Sequence, residues 1–508
     1  MDSLLKKASI LITPTAYNVG SINAIKPIQT FGVELGDDST ITNAGNAVMT
    51  KISNLNYNAT SDGTQTSSIR PRLGFNNTIV GSKYKISIKA TNKSGTILFK
   101  LFNGSSYVIS NNDLSSDIDF IFTAQSTSAV NFNFDGREVF NVDLEISLKQ
   151  IINADLDFER ATSGSFVGTA QREKADGVLE QVAENVPRID YTGGVAHWLI
   201  EPQSRNLITY SEDFSQWTKT SGVTITPSYQ VSPNGEVDSS RFLTTANNFL
   251  YKAITLPSIS EYTFSIWVKS NQNSLDNFTI HISGSNSPVF TATSNWQRFQ
   301  HTFTSSSASH NFGLLGQSGG TDVEIWGAQL EELSYATSYI PTSAQTVSRE
   351  KDSFGLNTTL DTSLIDSTEG TFYVEMAALD DNQINRIISL SEGNNTNTIK
   401  ILYTTNSNEL SLTPKLGTNQ AKFTTTSFDI TNFLKIALRF KENDYACFVN
   451  GSQLTDTSVG GGSTYPANTL TKIESSRGGG ASPFEGKIKC IAVFKEGLTD
   501  AELTCLTS

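Results

Sequence analysis

The chain has 508 residues, 37% of them hydrophobic and only 17% charged, with a formal net charge of −13. At roughly 100–200 residues per domain this length implies three or four domains, and the composition, rich in Ser, Thr, Asn and Gly rather than in charge, describes a folded chain and not a disordered one. The acidic balance and the lack of any basic run argue against a nucleic-acid partner, because phosphate contacts need clustered Lys and Arg.

The chain opens with Lys6 and Lys7 before a short apolar stretch, Ala8 to Ile12, that ends at Pro14. That stretch is too short for a secretory signal, and no segment approaches the ~20 apolar residues of a membrane span. The first dozen residues are a helix candidate. Beyond them the pattern is period-two alternation broken by Asn, Gly, Asp and Ser, as in Tyr84–Ala90, Tyr262–Val268 and Leu434–Phe440, and this predicts an all-β chain of stacked sandwiches. A second helix is predicted over 499–506, where Thr499 can act as an N-cap with Glu502 three residues on. Cys447, Cys490 and Cys505 show no metal-ligand or redox spacing. A disulfide framework or zinc module is therefore not expected, and assembly in a reducing cytoplasm fits.

Three strand motifs occur twice in the same order. Tyr84–Asn92 resembles Tyr262–Asn271, Ile118–Phe132 resembles Phe299–Phe312, and Phe140–Leu148 resembles Asp322–Leu330. Two copies of one sandwich are therefore expected, near 28–150 and 206–345. Between them lies a connector with its own character, containing Phe158-Glu-Arg-Ala-Thr162, Asn185-Val-Pro-Arg-Ile-Asp-Tyr191 and Leu199-Ile-Glu-Pro-Gln-Ser-Arg-Asn206.

Those connector motifs, with Pro14-Thr-Ala-Tyr-Asn-Val-Gly20, resemble segments widespread in phage tail, fibre and head-fibre proteins. Asn206–Trp217 and Trp326–Thr342 resemble the first strand and the closing strand of carbohydrate-binding jelly rolls in the same virion proteins. The last module, through Leu434–Phe440, Tyr445–Gly451 and Phe484–Phe494, resembles a concanavalin-A-like, laminin-G-type sandwich, in which Asn450-Gly451 would form a type I′ hairpin turn. The organisation these resemblances imply is a virion-attachment segment over 1–27, a jelly roll over 28–152, a connector over 153–205, a carbohydrate-binding-module-like jelly roll over 206–347 and the laminin-G-type sandwich over 348–508. They imply a fibre or adhesin on the virion exterior, homotrimeric, held to other virion proteins by its N-terminal segment and directed at a host cell-surface glycan. Such a protein is made in the host cytoplasm and released by lysis, without membrane insertion.

Sugar binding on a jelly roll needs an aromatic face with polar groups beside it. Alternation on strand 262–269 sends Tyr262, Phe264, Ile266 and Val268 inward and Trp267 outward with Thr263, Ser265 and Lys269. Trp267, Ser265 and Lys269, with Trp217, are the candidate glycan contacts, the competing reading of Trp267 being an interface between modules or protomers. Lys89 stands where Trp267 aligns in the first copy, so only the second sandwich would bind at this site. Trp217 and Trp296 also read as packing residues. Calcium is the candidate cofactor, since the resemblance implies ligands near the jelly-roll termini, with Glu212, Asp322 and Glu324 as candidates against a reading of solvated acids. Catalysis is not expected: Asp143/Glu145 and Asp380/Asp381 are neighbours on a strand or loop rather than carboxylates facing across a cleft. A structural or capsid-decoration fibre with no glycan ligand is the alternative to an adhesin.

Overall fold

The computed structural model describes residues 2–27, 30–36, 39–66, 69–271, 275–458 and 461–508. It is an all-β chain of β-sandwiches, as the alternation requires. Tyr84, Ile86 and Ile88 on strand Lys83–Gly95 are each 1% exposed, while Lys85, Ser87 and Lys89 between them point outward. Each buried aliphatic or aromatic side chain contributes about 1.5–3 kcal/mol of transfer free energy, which locks the register, because a one-residue slip would turn the whole row to solvent.

In the first sandwich one sheet runs Ile118–Thr123, Lys83–Gly95, Val139–Ile152, Asn56–Asp62, Val48–Ser53, with Thr30–Glu34 added beside Val139–Ile152. The facing sheet runs Tyr107–Asp113, Leu98–Asn103, Val130–Phe134, Arg72–Phe75, Ser39–Thr42. The second sandwich has the same order position by position. Its sheets run Gln297–Thr304, Glu261–Ser270, Thr321–Glu331, Ser240–Thr244, Val223–Thr226, and Val289–Ala292, Asp276–Ile282, Ser309–Gly316, Phe249–Thr255, Thr218–Lys219. The three repeated motifs thus cover three adjacent strands of one sheet in each copy, the second motif running on into a strand of the facing sheet, and each copy has its own core. Residues 28 and 29, where the first sandwich was expected to begin, lie outside the described residues.

The C-terminal module pairs an 8-stranded sheet with a 6-stranded one around the largest core. Asn450 (φ 46°) and Gly451 (φ 80°) both take positive φ between paired Val449 and Ser452, the geometry of a type I′ turn. The closing strand Gly486–Phe494 would present an open edge, but two pieces from elsewhere in the chain occupy it. Ile10–Ile12 pairs with residues 491–493, and Trp198–Ile200 of the connector pairs with residues 486–488. Residues 1–27, expected to form a separate attachment segment, are therefore built in part into this module. The predicted N-terminal helix is also reduced to Asp2–Leu5, and Ile10–Ile12 is a strand. So short a helix has little stability of its own. It is held by packing of Leu4 and Ala8 with Leu503 and Leu506 of the C-terminal helix, and by Lys7 on Glu502 at 2.8 Å. The C-terminal helix, Asp500–Thr507, starts at a capping box made by Thr499 and Glu502.

The connector forms short sheets wedged among the modules. Its motif residues are buried together: Arg160 binds Asp352 at 2.7 Å, Arg188 binds Glu201 at 2.7 Å and also Asp352, and Arg349 binds Glu201 at 2.7 Å. Three guanidinium groups share two carboxylates, and none of the five side chains is more than 3% exposed. Burial works to raise both carboxyls, but the guanidiniums outweigh it, Arg188 and Arg349 holding Glu201 down at about 2, and Arg188 and Arg160 keeping Asp352 below its ordinary value.

Candidate functional site

The outer face of the second sandwich is where its two copies part company. In the first sandwich that face is open and carries ion pairs, Lys85 with Asp119 at 3.0 Å and Lys89 with Glu145 at 3.2 Å. In the second, the exit segment doubles back over it. Thr263 donates to the Leu333 carbonyl at 2.8 Å and Thr302 to that of Ser334 at 3.0 Å, while the Ile340 amide donates to the Gln329 side chain at 2.7 Å. Asn206 clamps the start of this roof by donating to the carbonyls of Ala328 and Ile340. Trp326, whose face alternation left unassigned, is fully buried beneath it against Tyr339, ring centroids 4.7 Å apart.

A register shift sits in the same place. Trp267 pairs with Trp326, and Ser265 with Gln329, so two residues, Gly327 and Ala328, oppose Ile266. Gly327 takes φ +63°, and a Cβ there would meet Trp267 Cδ1 at 3.2 Å and the Tyr339 ring at 3.5 Å. This bulge, with glycine in the left-handed region, lets the Trp267 indole lie down over the backbone.

What the roof leaves uncovered is a half-open cavity of about 320 Å³ where the second sandwich, the connector and the C-terminal module meet. Trp267, Arg298 and Tyr335 line it from the sandwich side, Gln171 and Glu173 from the connector, and Lys487 from the last module. Buried polar atoms without a partner cluster in these walls: Trp267 Nε1, Arg298 Nε, Gln171 Oε1 and the Tyr335 hydroxyl. An unmade hydrogen bond of a buried group costs about 1–3 kcal/mol, so these walls gain from a polar guest. Burial, and then the Asp190 carboxylate, raise the Glu173 carboxyl. Burial also works to raise Asp190 itself, but the neighbouring His197 ring at 3.4 Å and hydrogen bonds from Thr192 and the Glu173 amide hold it well below its ordinary value.

Of the residues singled out from sequence, Trp267 lines this cavity, half-buried rather than standing free as a platform. The other three candidates lie elsewhere. Ser265 is fully buried and its hydroxyl accepts from Arg298 Nη2 at 2.9 Å. Lys269 is paired with Glu324 at 3.1 Å and stands 5.2 Å over the Trp296 ring. Trp217 is a core residue, its indole N–H donating to the Tyr210 carbonyl at 3.0 Å. The candidate calcium ligands do not gather: Asp322 is bound by Arg241 at 2.7 Å, Glu324 by Lys269, and Glu212 accepts from the Tyr339 hydroxyl at 3.1 Å. Among the described residues no group of three or more His, Cys, Asp or Glu side chains is arranged to hold a metal ion, and no helix is long and apolar enough to cross a membrane.

Sequence reasoning passed over Arg298, Tyr335, Gln171, Glu173 and Lys487. Arg298 carried a usable signal, since alternation with the inward Phe299 and Phe303 puts it on the outer face, and it is the direct register partner of Trp267. The others come from segments distant in sequence, and nothing local marks them.

Residues 355–504 match the family described as the concanavalin A-like lectin/glucanases superfamily. The chain thus carries such a domain at its C-terminal end. Among curated proteins none matches the chain. Solved structures similar to parts of it include the CBM40 domain of a Ruminococcus gnavus IT-sialidase bound to alpha2,3 sialyllactose (18% identity, 28% of this chain and 83% of that one, TM-score 0.23). The tandem CBM22 domains of Paenibacillus barcinonensis Xyn10C are similar at 8% identity, over 64% of this chain and 98% of that one (TM-score 0.22). A Trypanosoma rangeli sialidase in complex with the inhibitor DANA aligns at 10% identity over 99% and 97% (TM-score 0.24). By that match, residues 355–504 are similar to a concanavalin A-like lectin/glucanase domain, and they follow two β-sandwiches of the same strand order.

Proposed function

We propose that this protein is a non-catalytic, carbohydrate-binding adhesin carried on the outside of a tailed-phage-like particle, attaching it to a host cell-surface glycan. The observation that carries the reading is the cavity beside Trp267, an aromatic wall next to polar atoms that lack partners, of a size within the ~300–1,000 Å³ of small-molecule sites. A sugar ring offers an apolar face to the indole and hydroxyls to the remaining groups. The lectin-type C-terminal domain supports the same reading. Weak binding at each site is raised by many copies per particle, and a homotrimer is part of the proposal, as are virion partners that meet the N-terminal segment through exposed residues such as Val19 and Ile25.

The non-catalytic part rests on how two of the cavity's three acids, Glu201 and Asp190, are held, which leaves Glu173 without a second available carboxyl to work with. Glu201 is tied to Arg188, Arg349 and Ser338. Asp190 is tied to the amides of Glu173 and Thr192, with His197 at 3.4 Å. Neither is free to serve as acid, base or nucleophile for glycoside cleavage. A second reading, a structural or decoration fibre, draws support from the connector motifs, whose charged residues are spent on the buried ion network.

The test is binding of purified full-length protein to intact host cells and to cells stripped of surface glycans. Saturable binding that stripping and Trp267→Ala both remove is expected. Equal absence of binding to both cell preparations would move the protein to the structural reading.

A further inference from the structure

The cavity carries one group whose requirement is more specific than hydroxyl recognition. Arg298 sits in its wall with Nη1 donating to the Thr337 carbonyl at 2.6 Å and Nη2 to the Ser265 hydroxyl at 2.9 Å, both neutral acceptors. Its buried Nε has no partner, and among the described residues it forms no ion pair. A guanidinium that is partly buried, with neutral direct partners and an unpartnered Nε, is best satisfied by an anion, since a buried charge is tolerated when it is paired.

Burial works against the charge on Arg298, and Glu331 and Glu201 favour it from a distance, but neither carboxylate forms a direct ion pair with it. Glu201 is shared by two other guanidiniums in a network that already has more cations than carboxylates. Glu331, fully buried, accepts from the Ser204 hydroxyl and from the amide and hydroxyl of Thr337. At the opposite wall burial, and then Asp190, raise the Glu173 carboxyl, with His197 and Lys487 acting the other way. Tyr335 and Gln171, 6% and 7% exposed, each present an unpartnered polar atom in the same walls.

Building on the glycan reading, we infer that the sugar this cavity selects is an acidic one, with its carboxylate paired to Arg298 and its ring against Trp267. A carboxylate on a guanidinium forms charge-assisted hydrogen bonds about twice as strong as neutral ones, and the geometry favours it over a neutral hexose at the same position. In the first sandwich Lys89 stands where Trp267 aligns and is bound to Glu145 on an open face, so no aromatic wall of this kind exists there and the site belongs to the second sandwich.

The experiment is full-length protein on an array of uronate- and nonulosonate-bearing oligosaccharides, each printed beside its carboxyl-reduced counterpart. Affinity for the hits is then measured by calorimetry for wild type, Arg298→Lys and Arg298→Gln. Expected is binding to acidic glycans that weakens about 10-fold or more on carboxyl reduction, equivalent to ~1.4 kcal/mol, with Arg298→Lys keeping part of it and Arg298→Gln behaving towards acidic and reduced forms alike. Because the acid and its reduced form are compared on unaltered protein, the result does not depend on how the variants fold. Reduced glycans binding as well as their acids would overturn this inference and leave the glycan reading standing. Binding to no glycan at all would overturn both.

Discussion

Trp267 and Arg298 are direct register partners on neighbouring antiparallel strands, and both line the cavity beside the roof of the second sandwich. Trp267→Ala removes the aromatic wall without touching either core. It is expected to lower glycan affinity by about 10-fold or more, ~1.4 kcal/mol, in calorimetric titration. Trp296→Ala is the control: that indole also stands on the outer side, with Lys269 over its ring, but does not line the cavity. Equal losses from the two variants would count against the site.

Gly327 positions Trp267 through the backbone. An L-residue at φ +63° costs roughly 1–2 kcal/mol, and a Cβ would press on Trp267 Cδ1 at 3.2 Å. Gly327→Ala is expected to lower the melting temperature and also to weaken glycan binding, whereas a glycine with no nearby neighbour, such as Gly284, should affect stability only when replaced. Thermal melts and titrations of the two variants separate these effects.

The connector network sets an acid limit on the fold. Glu201 is held at about 2 against an ordinary 4.5, and Asp352 is also lowered. A carboxyl depressed in the folded state stabilises above its unfolded value, and that contribution is lost as pH falls from about 4.5 towards 2. Chemical denaturation followed from pH 6 to 2.5 should therefore show a falling midpoint across that window. Asp352→Ala, which strands Arg160 and Arg188 in the interior, should cost about 3–5 kcal/mol at neutral pH and flatten the pH dependence.

Removing residues 2–12 would uncover the strand edge at 491–493 and the apolar patch under Leu4 and Ala8. An exposed edge pairs with other chains. The truncated protein is expected to self-associate in light scattering and to lose amide protection at 491–493, while the cores of the two jelly rolls keep theirs.

The three thiols should separate cleanly. Burial pushes the Cys490 thiol up to about 12 and raises Cys447 as well, whereas Cys505 lies exposed on the C-terminal helix. Under native conditions a thiol-reactive chromophore should titrate one group per chain quickly, and all three after denaturation.

Much of the architecture was legible because strands declare themselves locally. The alternation of Tyr262, Phe264, Ile266 and Val268 with Trp267 placed each on its face, and the three repeated motifs proved to occupy equivalent strands in the two sandwiches. The Thr499/Glu502 capping box and the Asn450-Gly451 turn were readable for the same reason, as each is made by residues within a few positions of one another.

Ser265 and Lys269 show where that reasoning stops. Alternation put both on the outer side with Trp267, correctly as to face, but it carries no information about what lies on top of that face. The answer depended on a roof anchored by Asn206, Gln329 and Glu331 and on a connector brought in from 120 or more positions away, as with Asn206 and Ala328. The amino-acid sequence by itself determined an acidic all-β chain, its strand faces and its duplicated sandwich, since those follow from period, composition and short-range turn chemistry, while the lectin-like last module was implied by a resemblance. Only the tertiary structure decided that the N-terminal strand closes the last module's sheet, that Arg160, Arg188, Glu201, Arg349 and Asp352 form one buried network, and that Arg298 faces a cavity with no direct ion pair among the described residues. Those outcomes are set by contacts between residues far apart in the chain, and the energy of a buried charge depends on which partners the fold brings within reach of it.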